Sequence, residues 1–283
     1  MVVNLESEKY CYELTKKTAS SFYYGILSLP SDKRKAFYAL YTWMRLLDDI
    51  VDNTKQRDLA HKLVLEFQKK THDQFSGKAR LADDHWPELE RVQKQFGLDP
   101  KLFDEVVAGV LMDLEKHRYA NSKELYEYCY KVASVVGLLC LRIFGTSSEG
   151  AKALAIELGY AFQLTNIIRD VGEDALRGRI YIPLDLMARH DVLEEDVLSL
   201  KMTTHLKKVL AELAQMATEH YAHAKPLILQ VSSDSRPALK TMYDVYSELL
   251  QKMKKNHFDI FSKRVKLSFF DKIKIILTNQ FLK

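Results

Sequence analysis

The sequence predicts an all-α, single-domain protein. It has only 10 glycines and 6 prolines among 283 residues, too few for the many turns of a sandwich, a barrel or a doubly wound sheet. Hydrophobic residues make up 47% of the chain, which is enough to build a sizeable core. They recur at helical spacing, and no break between the helical stretches is long enough to be an interdomain linker.

Start and stop signals divide the chain into nine predicted helices. Pro30 ends the first, Ser31 caps the second, and Gly145 separates the sixth from the seventh. The segment 72–87 is the least regular part of the first half, and we expect a loop or a mobile flap there. The predicted helices are 10–28, 31–51, 59–70, 88–96, 100–118, 122–144, 148–174, 203–224 and 236–261.

Several classes of protein are disfavoured by absent motifs. Neither of the two common phosphate-binding glycine loops occurs, so any phosphate must be held in another way. Three cysteines without a C-x-x-C pair argue against a disulfide framework and a zinc site. The N-terminus does not have the pattern of a signal peptide, no stretch is apolar enough to span a membrane, and a net charge of +4 is too mild to indicate nucleic acid. We expect a cytoplasmic protein with no nucleic-acid partner.

Polar residues form a narrow stripe on the helix predicted at 31–51. At about 100° per residue, Tyr41, Arg45, Asp48 and Asp52 fall on one face, while the other faces are almost entirely apolar. An acidic stripe ordinarily faces solvent, but a helix that is apolar nearly all round is buried. Buried carboxylates need a metal, a base or a proton. Asp49 points about 80° away from the stripe, so we expect it to support the stripe rather than bind a ligand.

A second stripe lies on the helix predicted at 148–174. Gln163, Asn166, Asp170 and Asp174 share one face, with Arg169 beside them and apolar residues around the rest. Carboxylate and amide oxygens at this spacing suit Mg²⁺ shared with a substrate phosphate. Two such stripes facing each other would enclose metal and diphosphate in an apolar cavity.

Three blocks of sequence resemble the squalene/phytoene synthase family. The first runs from 21 to 52 and includes R-L-L-D-D-I-V-D. The second consists of M-D-L at 112–114 and Y-C-Y-K-V-A-S-V-V-G at 128–137, with Ser134 where the family more often has glycine. The third, and most specific, is Q-L-T-N-I-I-R-D-V-G-E-D at 163–174 with R-G-R-I-Y-I-P at 177–183. The resemblance covers residues 10–261, nearly the whole chain.

The resemblance implies an isoprenoid synthase domain at 1–262, with helices around a central cavity and Mg²⁺ held between two acidic helices. Two prenyl diphosphates are then joined through their C1 ends, with release of diphosphate. Tyr128 would face the reacting carbons. The aromatic face of Tyr128 or Phe22 would stabilise positive charge there, and the alternative for each ring is ordinary packing in the core. Arg45 has a second interpretation, as a structural partner of Asp48 or Asp49. The implied metal ligands are Asp48, Asp52, Asn166, Asp170 and Asp174, and the implied substrate-binding residues are Ser21, Tyr41, Arg45, Gln163, Arg169 and Tyr246.

The identity of the product depends on weaker signals. Segments 20–24, 132–137 and 143–145 look more like bacterial enzymes that convert two farnesyl diphosphates, through presqualene diphosphate, to a C30 isoprenoid. The alternative is a phytoene synthase that uses two geranylgeranyl diphosphates. Two more remote alternatives are a terpene cyclase, which Arg169 and residues 178–181 disfavour, and a non-catalytic helical protein. The use of NADPH stays open, because family reductases also lack a nicotinamide fingerprint.

The C-terminal segment 263–283 forms a second predicted unit. Its six bases and one acid give a charge of +5, compared with +4 for the whole chain, and apolar residues are interleaved with them. A basic amphipathic segment of this kind suits an anionic lipid surface, so we expect peripheral contact with the inner face of a membrane. The alternative is a terminal helix packed on the core with its basic face in solvent.

Overall fold

The computed structural model describes residues 5–19, 22–82, 84–146 and 148–280. Within these ranges the chain is helical apart from its connections, and extended pairing is limited to two isolated bridges, Arg118 with Ile180 and Thr146 with Val231. The predicted all-α class is therefore confirmed.

The helices follow one another through short connections. A π-helical turn, Tyr130–Ser134, joins two of them without a break, and a 3₁₀ turn, Ser233–Ser235, precedes another. The α-helices are α1 Leu5–Thr18, α2 Phe22–Ile26, α3 Ser31–Asn53, α4 Arg57–Phe75, α5 Trp86–Phe96, α6 Pro100–Glu115, α7 Ser122–Cys129, α8 Val135–Phe144, α9 Ala151–Leu176, α10 Leu184–Arg189, α11 Glu194–Leu198, α12 Thr204–Ala224, α13 Leu227–Gln230, α14 Arg236–Lys255 and α15 Phe269–Asn279.

The structure differs from the predicted helices at several ends. The helix predicted at 10–28 is two helices, α1 and α2, and the one predicted at 236–261 ends at Lys255. The irregular segment is shorter than predicted because α4 continues to Phe75. Trp43 Nε1 donates to Thr71 Oγ1 at 3.0 Å, a tertiary contact that supports this last turn. Helices α10 and α11 were not predicted, because one or two turns are too short to show a periodicity.

Helices α3 and α9 form two walls of the interior. On α3 the residues Leu40, Trp43 and Leu47 are fully buried, and on α9 Leu164 and Ile168 are. α3 packs against α1, α4, α5, α6 and α8, while α9 packs against α12, α8 and the π turn. Because these apolar faces are covered by neighbouring helices, the polar stripe of each helix is left to face the space between them.

The π turn and α9 meet backbone to backbone. A Cβ atom on Gly159 would lie 2.4 Å from Ser134 Cα, so only glycine permits this approach. The Ser134 hydroxyl donates to the Ile156 carbonyl at 2.8 Å. Serine at the position where the family more often has glycine thus holds the π turn onto α9, next to the residues that face the interior.

The C-terminal segment packs on the rest of the chain. Val265 and Leu267 are buried, and α15 lies against α14 and α2. Lys252 Nζ donates to the Lys266 carbonyl at 2.9 Å. The boundary at residue 262 stays a prediction. Across the part of the chain that the structure describes, no helix is both long enough and apolar enough to cross a membrane.

Candidate active site

Two adjoining cavities lie between α3 and α9. One is mostly apolar and the other mostly polar, and with their open mouths included they measure about 1180 Å³ and about 1030 Å³. They form one elongated space with an apolar end and an acidic end, because part of the lining belongs to both. The shared lining residues are Met44, Arg45, Asp48, Val132, Val136, Gln163 and Asn166.

The first stripe faces this space as predicted from its helical angles. Asp48 lines both cavities, Tyr41 lines the apolar one and Asp52 the polar one. Arg45 lines both cavities while one of its Nη atoms forms an ion pair with Asp49. The structural interpretation of Arg45 is therefore partly right, since Asp49 orients it. Its buried Nε atom has no hydrogen-bond partner and can still serve a ligand.

The second stripe lines the opposite wall, with Gln163, Asn166, Asp170 and Asp174 all facing the polar cavity. The Asp170 carboxylate accepts a hydrogen bond from Arg169 Nε at 2.7 Å and forms a second contact with the same guanidinium.

The C-terminal segment also reaches Asp170. Arg264 Nε lies 2.9 Å from Asp170 Oδ1 and 3.2 Å from Glu173 Oε1. Two guanidinium groups therefore neutralise Asp170, and one of them comes from the segment predicted to contact lipid.

Asp113 on α6 is an acidic residue of the site to which the sequence argument gave no role. Its carboxylate accepts hydrogen bonds from the hydroxyls of Tyr181 at 2.7 Å and Tyr128 at 3.2 Å. The Tyr128 ring centroid lies 5.1 Å from that of Tyr181 and 5.4 Å from that of Tyr119. Tyr128 thus belongs to an aromatic cluster on the polar cavity rather than on the apolar one.

Two further arginines line the polar cavity, both from the loop after α9. Arg177 Nη1 forms an ion pair with Asp52 Oδ1 at 2.9 Å, and Arg179 lies half-buried near Asp113. The sequence signal for these residues was present, since Arg177, Arg179 and Asp113 all fall inside the blocks that carry the family resemblance. A single acid on an apolar helix and bases in a loop form no stripe, so periodicity did not identify them.

Three carboxylates of the site have raised pKa values. Burial raises the pKa of Asp48 to about 7, with repulsion from Asp113 and Asp52 adding to the effect. Burial and the charge of Asp170 raise the pKa of Asp174 to about 7, and burial also raises the pKa of Asp113. The side chain of Asp48 is nevertheless open to the cavity, so solvent screens part of this effect.

The structure does not place two of the predicted substrate-binding residues, Ser21 and Tyr246, among the lining residues, for different reasons. Ser21 lies outside the described residues. Tyr246 is buried and lines neither cavity, and its ring centroid is 4.5 Å from that of Phe162. Burial raises the pKa of Tyr246, while a hydrogen bond with Arg169 lowers it. Tyr246 therefore contacts Arg169, which lines the polar cavity, without lining a cavity itself.

The metal-ligand oxygens do not form a ready-made cage. Across the described ranges, no three acidic, histidine or cysteine side chains come close enough together to hold one ion. Asn166 Oδ1, however, is buried without a hydrogen-bond partner, and Asn166 lines both cavities beside the carboxylates of α9. An orphaned amide oxygen and carboxylates with raised pKa values fit a hard cation that is shared with a substrate phosphate, because Mg²⁺ is often held by one or two carboxylates plus phosphate oxygens.

Fold and site together define a class of protein. A helical shell that encloses an apolar chamber next to an acidic, arginine-lined chamber suits a substrate with an apolar chain and a diphosphate head. Comparison with known proteins then identifies the family. The squalene/phytoene synthase family profile matches residues 15–271, and this chain belongs to that family.

Individual relatives support the same assignment. The chain is 34% identical over 275 residues to phytoene synthase 2 of Solanum lycopersicum, covering 94% of this chain and 88% of the relative. It is 32% identical over 271 residues to 15-cis-phytoene synthase of Synechococcus elongatus, covering 92% and 87%. A crystal structure of a dehydrosqualene synthase in complex with ligand matches with a TM-score of 0.89 at 30% identity, covering 97% of this chain and 95% of that one.

The family establishes the kind of reaction. The protein is a prenyltransferase-type enzyme that condenses prenyl diphosphates head to head. The terpene cyclase and non-catalytic alternatives lose their support. The squalene synthase HpnC of Alicyclobacillus acidocaldarius, with a TM-score of 0.82 and 22% identity over 89% of this chain and 94% of its own, supports the fold alone.

Proposed function

We propose that this enzyme is a phytoene synthase type of prenyltransferase, which condenses two geranylgeranyl diphosphates through a cyclopropylcarbinyl diphosphate. The observation that carries the proposal is the junction of the two cavities, where Asp48, Gln163 and Asn166 belong to both linings. A diphosphate in the polar chamber then has its C1 atom at the mouth of the apolar chamber. The relatives named as phytoene synthases favour the C20 substrate over the C15 substrate that the sequence segments suggested.

Mg²⁺ is part of the proposal. The residues that would hold it are Asp48, Asp52, Asn166, Asp170 and Asp174, which line the polar cavity from its two opposite walls. Bound there with the diphosphate, the ion would act as a Lewis acid that neutralises the charge of the leaving group. Since Asp170 is already paired with Arg169 and Arg264, it would exchange these partners when metal and substrate enter.

The basic and amide groups of the chain would bind the diphosphate directly. Arg45 offers its unpartnered Nε atom, Arg179 lines the same cavity, and the Gln163 side chain faces both chambers. These donors stabilise the negative charge that develops as the diphosphate leaves, without a protein nucleophile. The departure leaves an allylic cation on the substrate. Attack by the double bond of the second substrate on the C1 atom of that cation gives a tertiary cation, which closes the cyclopropane ring by losing a proton to an oxygen base in the polar chamber. Departure of the second diphosphate then opens the ring to a linear cation, and loss of another proton gives the neutral hydrocarbon.

Aromatic and apolar residues would protect the cations. The wall of the apolar cavity includes Phe37, Leu40 and Phe162, which keep water away from a carbon that water would quench. The rings of Tyr128 and Tyr181 border the polar chamber and present π faces that stabilise positive charge. Asp113 holds both hydroxyls and so orients the rings.

The second candidate is the C30 reaction, in which two farnesyl diphosphates pass through presqualene diphosphate. The similarity to a dehydrosqualene synthase, at 30% identity and a TM-score of 0.89, favours it. Both candidates use the same diphosphate site, and they differ in the length of chain that the apolar chamber accepts. In the squalene branch of the second candidate, hydride transfer from NADPH to the final cation would also replace the last loss of a proton.

Product analysis tests the proposal. The full chain is incubated with Mg²⁺ and either farnesyl or geranylgeranyl diphosphate, with and without NADPH, and the extract is analysed by chromatography and mass spectrometry. We expect a C40 hydrocarbon from the C20 substrate, independent of NADPH. A C30 product made at least tenfold faster would establish the second candidate. No diphosphate release from either substrate would refute both.

The reaction is proposed to take place beside a membrane, because a C40 or C30 hydrocarbon is insoluble in water. The charge of +5 on segment 263–283 suits peripheral contact with anionic lipid.

A further inference from the structure

Helix α15 turns its apolar face away from the protein. Phe269, Phe270 and Leu277 have 57%, 82% and 54% of their surface exposed. Together with Ile273 they fall within about 100° of the helix circumference. A surface helix ordinarily directs such a stripe into the core, so this helix has the reverse orientation.

The inner face of α15 is consistent with this orientation, because Ile275 is its one side chain packed against the hydrophobic core and polar groups make further contacts. Asn279 is 1% exposed, and its Nδ2 atom donates to Asp244 Oδ2 at 2.7 Å. Lys272 is half-buried, with its ammonium 5.0 Å from the centroid of the Tyr24 ring on α2. These contacts hold α15 on α14 and α2 without using the phenylalanines.

The helix also has its own end stabilisation. Ser268 Oγ accepts from the Asp271 backbone N–H at 3.1 Å, while the Ser268 N–H donates to Asp271 Oδ2 at 3.0 Å. This capping box supports the first turn, the one that carries both exposed phenylalanines. The apolar face is thus presented on a rigid element.

The charge around this face indicates what covers it. Lys263, Lys266 and Lys274 are exposed in the same segment. A second copy of the chain would bring the same positive charge against it, whereas an anionic lipid surface neutralises it. Phenylalanine with flanking lysines is the composition of a helix that lies in the plane of a membrane interface.

The exposed apolar face of α15 lies near the apolar cavity. The helix packs on α2 and α14, and these two helices contribute Ile26, Leu239 and Met242 to the wall of the apolar cavity. A face in contact with lipid at this point brings the bilayer close to the chamber that would hold the prenyl chains.

We propose that α15 is a lipid-docking element, which inserts Phe269, Phe270, Ile273 and Leu277 into an anionic bilayer while Lys266 and Lys274 contact the headgroups. The purpose of the contact, release of an insoluble hydrocarbon, rests on the proposed function. The contact itself does not, because it is measured without substrate.

Co-sedimentation of the full chain with vesicles tests this proposal. Vesicles of phosphatidylcholine alone are compared with vesicles that contain 30% phosphatidylglycerol. The variants are F269S/F270S and K266Q/K274Q, and the matched control is L193S/L229S, which removes two leucines exposed to 65% and 67% elsewhere on the surface. Truncation at residue 262 is avoided, because it would also remove the buried residues Val265 and Leu267.

The expected result is binding to the anionic vesicles that is reversed by high salt. It should fall about tenfold or more in F269S/F270S, by a similar factor in K266Q/K274Q at low salt, and not at all in the control. Equal binding by F269S/F270S and the unchanged chain would overturn the proposal, as would a concentration-dependent dimer that this variant abolishes. Lipid binding without turnover would contradict only the proposed function, and turnover without lipid binding would contradict only the docking role.

Discussion

Replacing Asp48 by asparagine separates the contribution of this carboxylate to turnover from its effect on the stability of the folded protein. The side chain keeps its shape but loses the negative charge that would hold the metal. We expect turnover to fall by about 100-fold or more, because metal-assisted stabilisation of a leaving group is worth several kcal/mol and each 1.4 kcal/mol is tenfold in rate. Circular dichroism should show the same helix content.

The same variant should be more stable than the unchanged enzyme at alkaline pH when metal is absent. The pKa of Asp48 is raised from 3.8 to about 7 by burial and by Asp113. The folded state therefore binds more protons than the unfolded state between about pH 4 and pH 7, so this residue lowers stability as pH rises through that window. Well below pH 4 the carboxyl is protonated in both states, and the destabilisation disappears.

The size of the effect follows from the shift. Each pKa unit corresponds to about 1.4 kcal/mol, so the full shift would be worth about 4 kcal/mol. Because Asp48 is open to the cavity, solvent screening reduces this to about 1–2 kcal/mol. For a chain of this size, D48N should raise the melting temperature by about 2–8 °C at pH 8, with a smaller gain at pH 4.5.

Thermal unfolding in the presence of a chelator at the two pH values measures this difference. The matched control is Asp49→Asn, one residue along the same helix, which removes the ion pair with Arg45 and should bring no gain at pH 8. If D48N is no more stable than the unchanged enzyme at pH 8, neighbouring groups already compensate the negative charge of Asp48, and the predicted destabilisation is wrong. Turnover within threefold of normal at moderate Mg²⁺ would refute the metal role.

Three further predictions concern Asp174 on the opposite wall, the aromatic cluster and the packing of α9. Asp174→Asn should also abolish turnover while helix content is kept, and near-normal turnover would argue against a cage formed by two stripes. Tyr128→Phe removes the hydroxyl that donates to Asp113 at 3.2 Å, so the ratio of products should change more than substrate affinity; weaker affinity with an unchanged ratio would argue against this role. Gly159→Ala forces a Cβ atom to within 2.4 Å of Ser134 Cα, and we expect a loss of about 1–3 kcal/mol, measured as a lower denaturation midpoint; an unchanged midpoint would show that α9 can shift.

The acidic stripes were predictable because they depend only on local geometry. The rotation of about 100° per residue brings Asp48 and Asp52 to one face of α3, and Asp170 and Asp174 to one face of α9, whatever surrounds the helices. The apolar residues on the remaining faces indicated that both helices are buried. Helix class, the two walls and the acidic face of each therefore followed from the order of the amino acids alone.

The partners of those stripes depend on how distant segments pack. Asp113 meets Tyr181 across 68 residues of sequence, Arg264 reaches Asp170 across 94, and Arg177 reaches Asp52 across 125. No periodicity within one helix carries this information, because the direction of a side chain is set locally while its neighbours are set by the packing of whole helices.

The orientation of α15 likewise depends on tertiary packing, although its composition could be predicted from the sequence. The sequence alone determined that the C-terminal segment is basic and amphipathic, since both properties are sums over neighbouring residues. Which face meets the protein was decided by tertiary contacts, Asn279 with Asp244 and Lys272 with Tyr24. These two polar contacts leave the phenylalanines exposed. The apolar pattern by itself would have predicted the opposite orientation, with the phenylalanines packed against the protein.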